Sequence, residues 1–148
     1  MKQRVVVTGL GMVSPVGIDV ASSWASICAG RSGVATITDF DASTFRAQIA
    51  ATVKDFDPTV YLSAKEARRN DLFIQYGFAA ASQALQQAGL HQLREADPAS
   101  THRSGVILGS GIGGLPLIED THTVLQVQGA RRISPFFVPG GIINMVAG

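Results

Sequence analysis

The chain has 148 residues, of which 46% are hydrophobic and 16% are charged, and its formal net charge is +1. This composition excludes an intrinsically disordered chain, and the near-zero charge gives no reason to expect nucleic acid or a membrane surface as a partner. One cysteine cannot form an internal disulfide, and no uninterrupted apolar run could span a bilayer, so we expect a cytoplasmic protein.

A strand and a helix are the first predicted elements. Arg4 to Thr8 is a β-branched run, typical of a strand buried on both faces. Asp19 can cap the next helix, and Gly30 is placed to end it. Residues at helical spacing predict that this helix buries an apolar stripe containing Val20, Trp24, Ile27 and Cys28.

The turn between these two elements, Gly9 to Ser14, follows a strand as a dinucleotide-binding turn would. A phosphate-binding turn needs exposed amides and a helix N-terminus that points at the anion. Ser14 stands where the third glycine would be, and Pro15 comes before any helix. We therefore interpret the segment as a tight structural turn.

Cys28 has to be considered as a nucleophile because it is the only thiol. A catalytic thiol needs a base or a helix N-terminus to lower its pKa, whereas Cys28 lies in the last turn of its helix with no histidine nearby in sequence. We expect it to pack in the core. The histidines also lack the spacing of a metal site, so we expect no metal at His91, His102 or His122.

The middle of the chain predicts a short strand within Gln48 to Val53, followed by a helix or a pair of helices. Ser63 and Glu66 form a capping-box pattern at the helix start, and Gly89 is placed to close the helical region. The later helical part is apolar on most sides, which predicts deep burial; its apolar residues are Phe73, Ile74, Tyr76, Phe78, Ala79 to Ala81, Ala84 and Leu85.

The last third predicts a polar loop over Glu95 to Arg103, a buried strand over Gly105 to Gly109 and a helix over Pro116 to Gln126. Strands that alternate with helices predict a parallel or mixed sheet in an α/β fold. Ile133 to Gly148 then contains no charge, and an apolar run of this length needs a cover. We expect an incomplete domain over residues 1–148, which aggregates or self-associates when alone.

Gly109 to Gly114, here called the glycine loop, matches G-x-G-x-x-G between a predicted strand and a predicted helix. The acidic residue expected about twenty positions later is absent, and so is the lysine of a Walker loop. A nucleotide-binding α/β module stays open as an alternative. The other interpretation is a loop whose glycines let the backbone approach a substrate or another chain closely.

Lys65, Arg68 and Arg69 are spaced to lie on one side of a helix and are here called the basic face. Arg131 and Arg132 form a second basic pair near the apolar end of the chain. From charge alone, we interpret the basic face as a solvent-exposed surface without a partner.

Several sequence blocks together carry a family resemblance. They are Val-Val-Val-Thr-Gly-Leu-Gly at 5–11, Arg-Ser-Gly-Val at 31–34, Phe-Ile-Gln-Tyr-Gly at 73–77, the glycine loop, Ser-Pro-Phe-Phe-Val-Pro at 134–139 and Asn-Met-Val-Ala-Gly at 144–148. The chain resembles the elongating β-ketoacyl-acyl-carrier-protein synthases of fatty-acid synthesis, the type II branch in particular. The resemblance implies a thiolase-like layered α-β-α-β-α fold, of which this chain is most of the first half.

The resemblance implies decarboxylative Claisen condensation without a cofactor, by a cysteine and two histidines expected beyond Gly148. No catalytic residue is then expected in this chain. It also implies that Ile112 gates the acyl pocket, and that Phe136 or Phe137, with Phe136 preferred, reaches the partner's acyl tunnel in a homodimer. The five basic residues would dock an acidic acyl carrier protein. A non-catalytic partner similar to the chain-length factors is the remaining alternative.

Overall fold

The structure is a computed structural model that describes residues 4–92, 99 and 102–148. Most of the polar loop predicted over Glu95 to Arg103 lies outside these residues. Helices and strands in chain order are α1 (Val20–Cys28), β1 (Ala35–Thr36), β2 (Ile49–Ala50), α2 (Ala64–Ala67), α3 (Leu72–Gln87), α4 (Leu115–Gln128) and α5 (Phe137–Gly141). Short 3-10 turns lie at Pro58–Val60, Ala130–Arg132 and Ile143–Val146.

Helix α1 begins and ends where the sequence predicts. The Asp19 carboxylate accepts a hydrogen bond from the Ser22 amide at 2.7 Å. The Ser22 side-chain oxygen accepts one from the Asp19 amide, which completes a capping box. The hydrogen bond from the Ser22 backbone amide is the main reason that the pKa of Asp19 is lowered. Gly30 follows the helix with φ +66, a conformation that glycine adopts without a Cβ clash.

The burial predicted for α1 is wrong. Trp24 is 65% exposed, Ile27 is 53% exposed, and Cys28 is exposed as well. The fully buried residue is Ser23, whose hydroxyl donates to the Gly17 carbonyl at 3.0 Å. This contact turns the side of α1 that carries Ser23 toward the preceding turn. The side chains of Trp24 and Ile27 on the apolar stripe are left exposed to solvent.

The helical region in the middle is a pair of helices. Ser63 and Glu66 form the predicted capping box at α2, and Asp71 caps α3. Gly89 closes the region with φ +69. The deep burial predicted for α3 holds only in part. Ile74 and Ala79 are buried at 5% and 0% exposure, whereas the large apolar residues Leu72, Phe78 and Leu85 of the same helix are exposed.

Helix α3 also supports the N-terminal segment through its glutamines and alanines. The amide of Met12 donates to Gln83 at 3.0 Å, and that of Leu10 donates to Gln87 at 2.6 Å. A Cβ on Gly11 would lie 1.8 Å from the Ala80 carbonyl oxygen. The glycines of this turn therefore allow close packing of backbone on a helix, which explains them without a phosphate.

The predicted strands over Arg4 to Thr8 and Gly105 to Gly109 are not strands in the structure. Val5 is 94% exposed and Ile107 is 97% exposed. Within the described residues the sheet is one antiparallel pair, β1 with β2, in the register Ala35 to Ala50 and Thr36 to Ile49. The strand predicted within Gln48 to Val53 is confirmed. No helix in the described part of the chain is long and apolar enough to cross a membrane.

Replacing Gly11 by alanine should lower the free energy of unfolding by about 3 kcal/mol, because the added methyl group collides with backbone rather than with a flexible side chain. Gly105→Ala is the matched control, since a Cβ there meets nothing within 4 Å. Hydrogen exchange of the α3 amides, compared between each variant and the unsubstituted chain, checks the prediction, because faster exchange reports lower stability of this part of the fold. Equal losses would show that the packing on α3 does not matter.

Candidate functional site: the glycine loop and the basic face

The glycine loop is open at its start and tightly packed at its end. Added Cβ atoms on Gly109 and Gly111 would meet nothing within 4 Å, and Ile112 between the two ends is 72% exposed. Gly113 has φ +95, and a Cβ there would lie 2.8 Å from the Gly141 carbonyl oxygen. The loop thus presents Ile112 on a turn whose second half is held by α5.

Asp71 connects this loop to α3. Its carboxylate accepts a hydrogen bond from the Leu117 amide at 3.0 Å, which satisfies one of the free amides in the first turn of α4. Pro116, in the same turn, has no N–H to offer. A phosphate at this N-terminus would meet a carboxylate and compete for an amide already bonded, so the geometry does not fit a nucleotide cradle.

The basic face is only partly free. Helix α2 ends at Ala67, so the three cations do not share one helical face as predicted: Lys65 lies in the helix, and Arg68 and Arg69 follow it. Lys65 and Arg68 are exposed, whereas Arg69 is half-buried with its guanidinium 3.9 Å from the centre of the Phe136 ring. The Ser63 side chain, followed by its backbone amide, lowers the pKa of Glu66, and the charges of Arg69 and Lys65 add smaller contributions. Helix α2 therefore carries exposed cations together with an ionised carboxylate.

The structure joins two regions that the sequence analysis treats separately. Arg69 of the basic face contacts Phe136 of the apolar segment, and Arg131 and Arg132 lie exposed in the turn that precedes Phe136. The Arg69 contact is a cation–π interaction of the kind that fixes a guanidinium over a ring.

Two apolar cavities lie beside α3. One of about 330 Å³ is lined by residues that include Val13, Tyr76 and Leu108, and one of about 400 Å³ by residues that include Phe78, Leu108 and Met145. Neither cavity is lined by Ile112, Phe136 or Phe137. Neither of these two cavities thus brings the three predicted pocket residues together.

Asp71 is the site residue that the sequence analysis missed. The signal was available, because an aspartate directly before an apolar helical run is a typical N-cap. Its second role at α4 depends on a contact 46 positions away along the chain, which spacing does not show. Within the described residues no group of three or more histidine, cysteine or acidic side chains could hold a metal.

Comparison with known proteins places these features in one family of sequences. Residues 2–148 match the family model described as "Beta-ketoacyl synthase, N-terminal domain". The 3-oxoacyl-[acyl-carrier-protein] synthase 2 of Vibrio harveyi is 56% identical over 99% of this chain and 34% of its own length. The chain therefore spans about a third of the curated relatives it matches.

Two solved structures resemble the chain in three dimensions. A ketosynthase of a type II PKS, in complex with its acyl-carrier protein, is 26% identical with a TM-score of 0.74, over 100% of this chain and 39% of the other. The ishigamide ketosynthase/chain length factor is 27% identical with a TM-score of 0.69, over 90% and 32%.

Proposed function

Because the chain belongs to the β-ketoacyl synthase N-terminal domain family, we propose that it is the N-terminal portion of a 3-oxoacyl-[acyl-carrier-protein] synthase of fatty-acid elongation. The observation that carries the proposal is 56% identity to one such synthase over 99% of the chain. The family resemblance and the thiolase-like fold class predicted from the sequence are confirmed by the family match and by the structural neighbours. "Complete enzyme" below means this chain continuous with the remaining two thirds that its relatives contain.

The proposed reaction is a decarboxylative Claisen condensation. An acyl group passes from its carrier to a cysteine thiolate and forms a thioester. Malonyl carrier then loses CO2, and the resulting carbanion attacks the thioester carbonyl and expels the thiolate. Two histidines stabilise the negative charge that develops on oxygen, as preorganised donors do. These three groups are proposed to belong to the rest of the complete enzyme, since no residue of this chain is assigned to them.

The contribution proposed for this chain is to bind and orient the acyl group. Ile112 stands exposed on a loop whose second half is packed against α5, which suits a side chain that gates a pocket. Phe136 and Phe137 are proposed to complete the pocket wall of a homodimer. The contact of Arg69 with Phe136 holds that ring against its own chain, so Phe137 becomes as good a candidate as Phe136 for reaching the partner subunit.

The partner proposed for the basic residues is an acyl carrier protein. Exposed Lys65 and Arg68 would supply charge that steers an acidic carrier and weakens with salt. Arg131 and Arg132 would extend this surface, and Arg69 would link it to Phe136. A neighbouring structure is a ketosynthase in complex with its carrier, which supports this choice of partner. The compartment proposed is the cytoplasm.

The 148-residue chain by itself should show no malonyl decarboxylation, because the groups that perform the chemistry are proposed to lie outside it. The complete enzyme should release CO2 from malonyl carrier and should extend acyl carrier. Measurement of CO2 release by both proteins, at equal concentration, tests the proposal. Activity of the short chain would contradict the division of roles, and inactivity of the complete enzyme would contradict the function.

A second candidate is a non-catalytic partner that keeps the fold without the thiol. The likeness to a ketosynthase/chain length factor structure is the observation in its favour, at 27% identity. The higher identity to the synthase of Vibrio harveyi favours the enzyme. Iodoacetamide labelling of the complete protein distinguishes them: a single fast-reacting cysteine protected by acyl transfer supports the enzyme, and its absence supports the partner.

A further inference from the structure

Three segments meet at Asp71. One carboxylate oxygen accepts the Leu117 amide of α4 at 3.0 Å, and the other lies 3.5 Å from the Phe73 amide of α3. The backbone amide of Asp71 donates to the Gly140 carbonyl of α5 at 3.0 Å. A single residue is thus bonded to the beginning of two helices and to the C-terminal end of a third.

The second half of the glycine loop is packed into this junction. Gly114 donates its amide to the Gly141 carbonyl at 3.1 Å. A Cβ on Gly114 would lie 3.0 Å from the Gly141 Cα and 3.1 Å from the Asp71 carboxylate. Gly113 and Gly114, the two residues after Ile112, lie in this junction. A shift of the Asp71 carboxylate that moves Gly114 would therefore also move the backbone next to Ile112.

We propose that Asp71 is a positioning residue for the acyl-chain gate: it fixes the glycine loop and thereby sets the chain length that Ile112 admits. This inference rests on the proposed function, in which Ile112 gates the pocket. Without the carboxylate, the Leu117 amide loses its partner, the first turn of α4 is no longer bonded to Asp71, and the glycine loop that leads into α4 no longer holds Ile112 in a fixed position. Relaxation of the gate favours long acyl chains over short ones.

The same junction is adjacent to the basic face. Arg69, two residues before Asp71, contacts Phe136, and its carbonyl oxygen would lie 2.2 Å from a Cβ on Gly140. The linker between α2 and α3 is therefore packed against α5 at Arg69 and at Asp71. This packing holds the Asp71 backbone still, so that the carboxylate can act as a fixed acceptor for α4.

The test compares acyl-chain selectivity in variants of the complete enzyme. The readout is the ratio of kcat/KM for dodecanoyl carrier to kcat/KM for hexanoyl carrier. Asp71→Ala should raise this ratio about tenfold, because a hydrogen bond to a charged group is lost. Asp71→Asn keeps one acceptor oxygen and should give an intermediate ratio. Hydrogen exchange should become faster in the peptide that contains Leu117 and not in the peptide that contains α1.

Asp19→Ala is the matched control, because Asp19 also caps a helix but lies at α1, away from the glycine loop. It should lower stability and leave the ratio unchanged. Gly114→Ala displaces the junction from the opposite side and should raise the ratio even if Asp71→Ala does not fold.

Ile112→Ala separates the two proposals. A ratio that changes in Ile112→Ala but stays at the wild-type value in Asp71→Ala and Gly114→Ala would overturn the role of Asp71 and leave the gate intact. A ratio unchanged in Ile112→Ala would overturn the gate, and the role of Asp71 with it.

Discussion

Reversal of charge at Lys65 and Arg68 in the complete enzyme should lower kcat/KM for carrier-bound substrates by about 100-fold at low ionic strength. Both side chains are exposed at the end of α2, so glutamates there repel an acidic carrier without disturbing a packed core. The loss should shrink as salt is added, because the Debye length falls to about 10 Å at 0.1 M. Steady-state assays over a salt series measure this.

The control is a second double variant with the same change of charge. Arg46 and Lys54 are exposed near β2, and their replacement by glutamate alters the net charge equally. That variant should retain most of the carrier-dependent activity. A small acyl thioester without a carrier should react equally well with both variants. Equal losses in both variants would point to global charge rather than docking at the basic face.

Sequence analysis succeeded where structure depends on neighbours along the chain. The caps at Asp19 and at Ser63 with Glu66 each bond within three residues, so their side-chain chemistry predicts helix starts directly. Gly30 and Gly89 adopt positive φ at the helix ends where they were expected. These contacts need no partner from a distant segment.

Sequence analysis failed where the predicted structure requires contact with a distant segment of the chain. The β-branched run at Val5 to Val7 has the composition of a buried strand, yet a strand forms only when another strand supplies a hydrogen-bonded ladder. The stripe of Trp24 and Ile27 is apolar in the sequence and exposed in the structure, because a helix face is buried only when another segment packs over it. Periodicity shows which side of an element is apolar, but it does not identify the segment that packs against that side.

The candidate site depends on contacts of both kinds. Lys65, Arg68 and Ile112 are exposed in the structure, and the docking and gating roles expected for them stay predictions. The contact between Arg69 and Phe136 and the bond from Leu117 to Asp71 join segments that are far apart in sequence. Their effect on the loop could be found only after the helices were placed.

The 148-residue chain alone should self-associate strongly. Its accessible surface is 11373 Å², against about 7,200 Å² for a folded monomer of 15.5 kDa. An excess of about 4,000 Å² on one chain is at least as large as the share of one partner in most obligate interfaces, which bury about 2,000–5,000 Å² over both partners. The most exposed apolar side chains are in the two strand-like segments, at Val5, Val7 and Ile107. Sedimentation velocity should show large oligomers at micromolar concentration, and a sharp, reversible monomeric unfolding transition would contradict this.

Replacement of Val5, Val7 and Ile107 by threonine should reduce self-association of the short chain and should destabilise the complete enzyme. In the short chain the added hydroxyls face water and should reduce the oligomer fraction severalfold. In the complete enzyme, if the rest of the polypeptide covers these segments, each buried hydroxyl should lower the free energy of unfolding by about 1–3 kcal/mol. The loss of stability in the complete enzyme distinguishes segments that are buried there from segments that are exposed and self-associate nonspecifically. If the triple variant were neutral in the complete enzyme, these segments would be solvent-exposed there too, and the excess surface would need another cover.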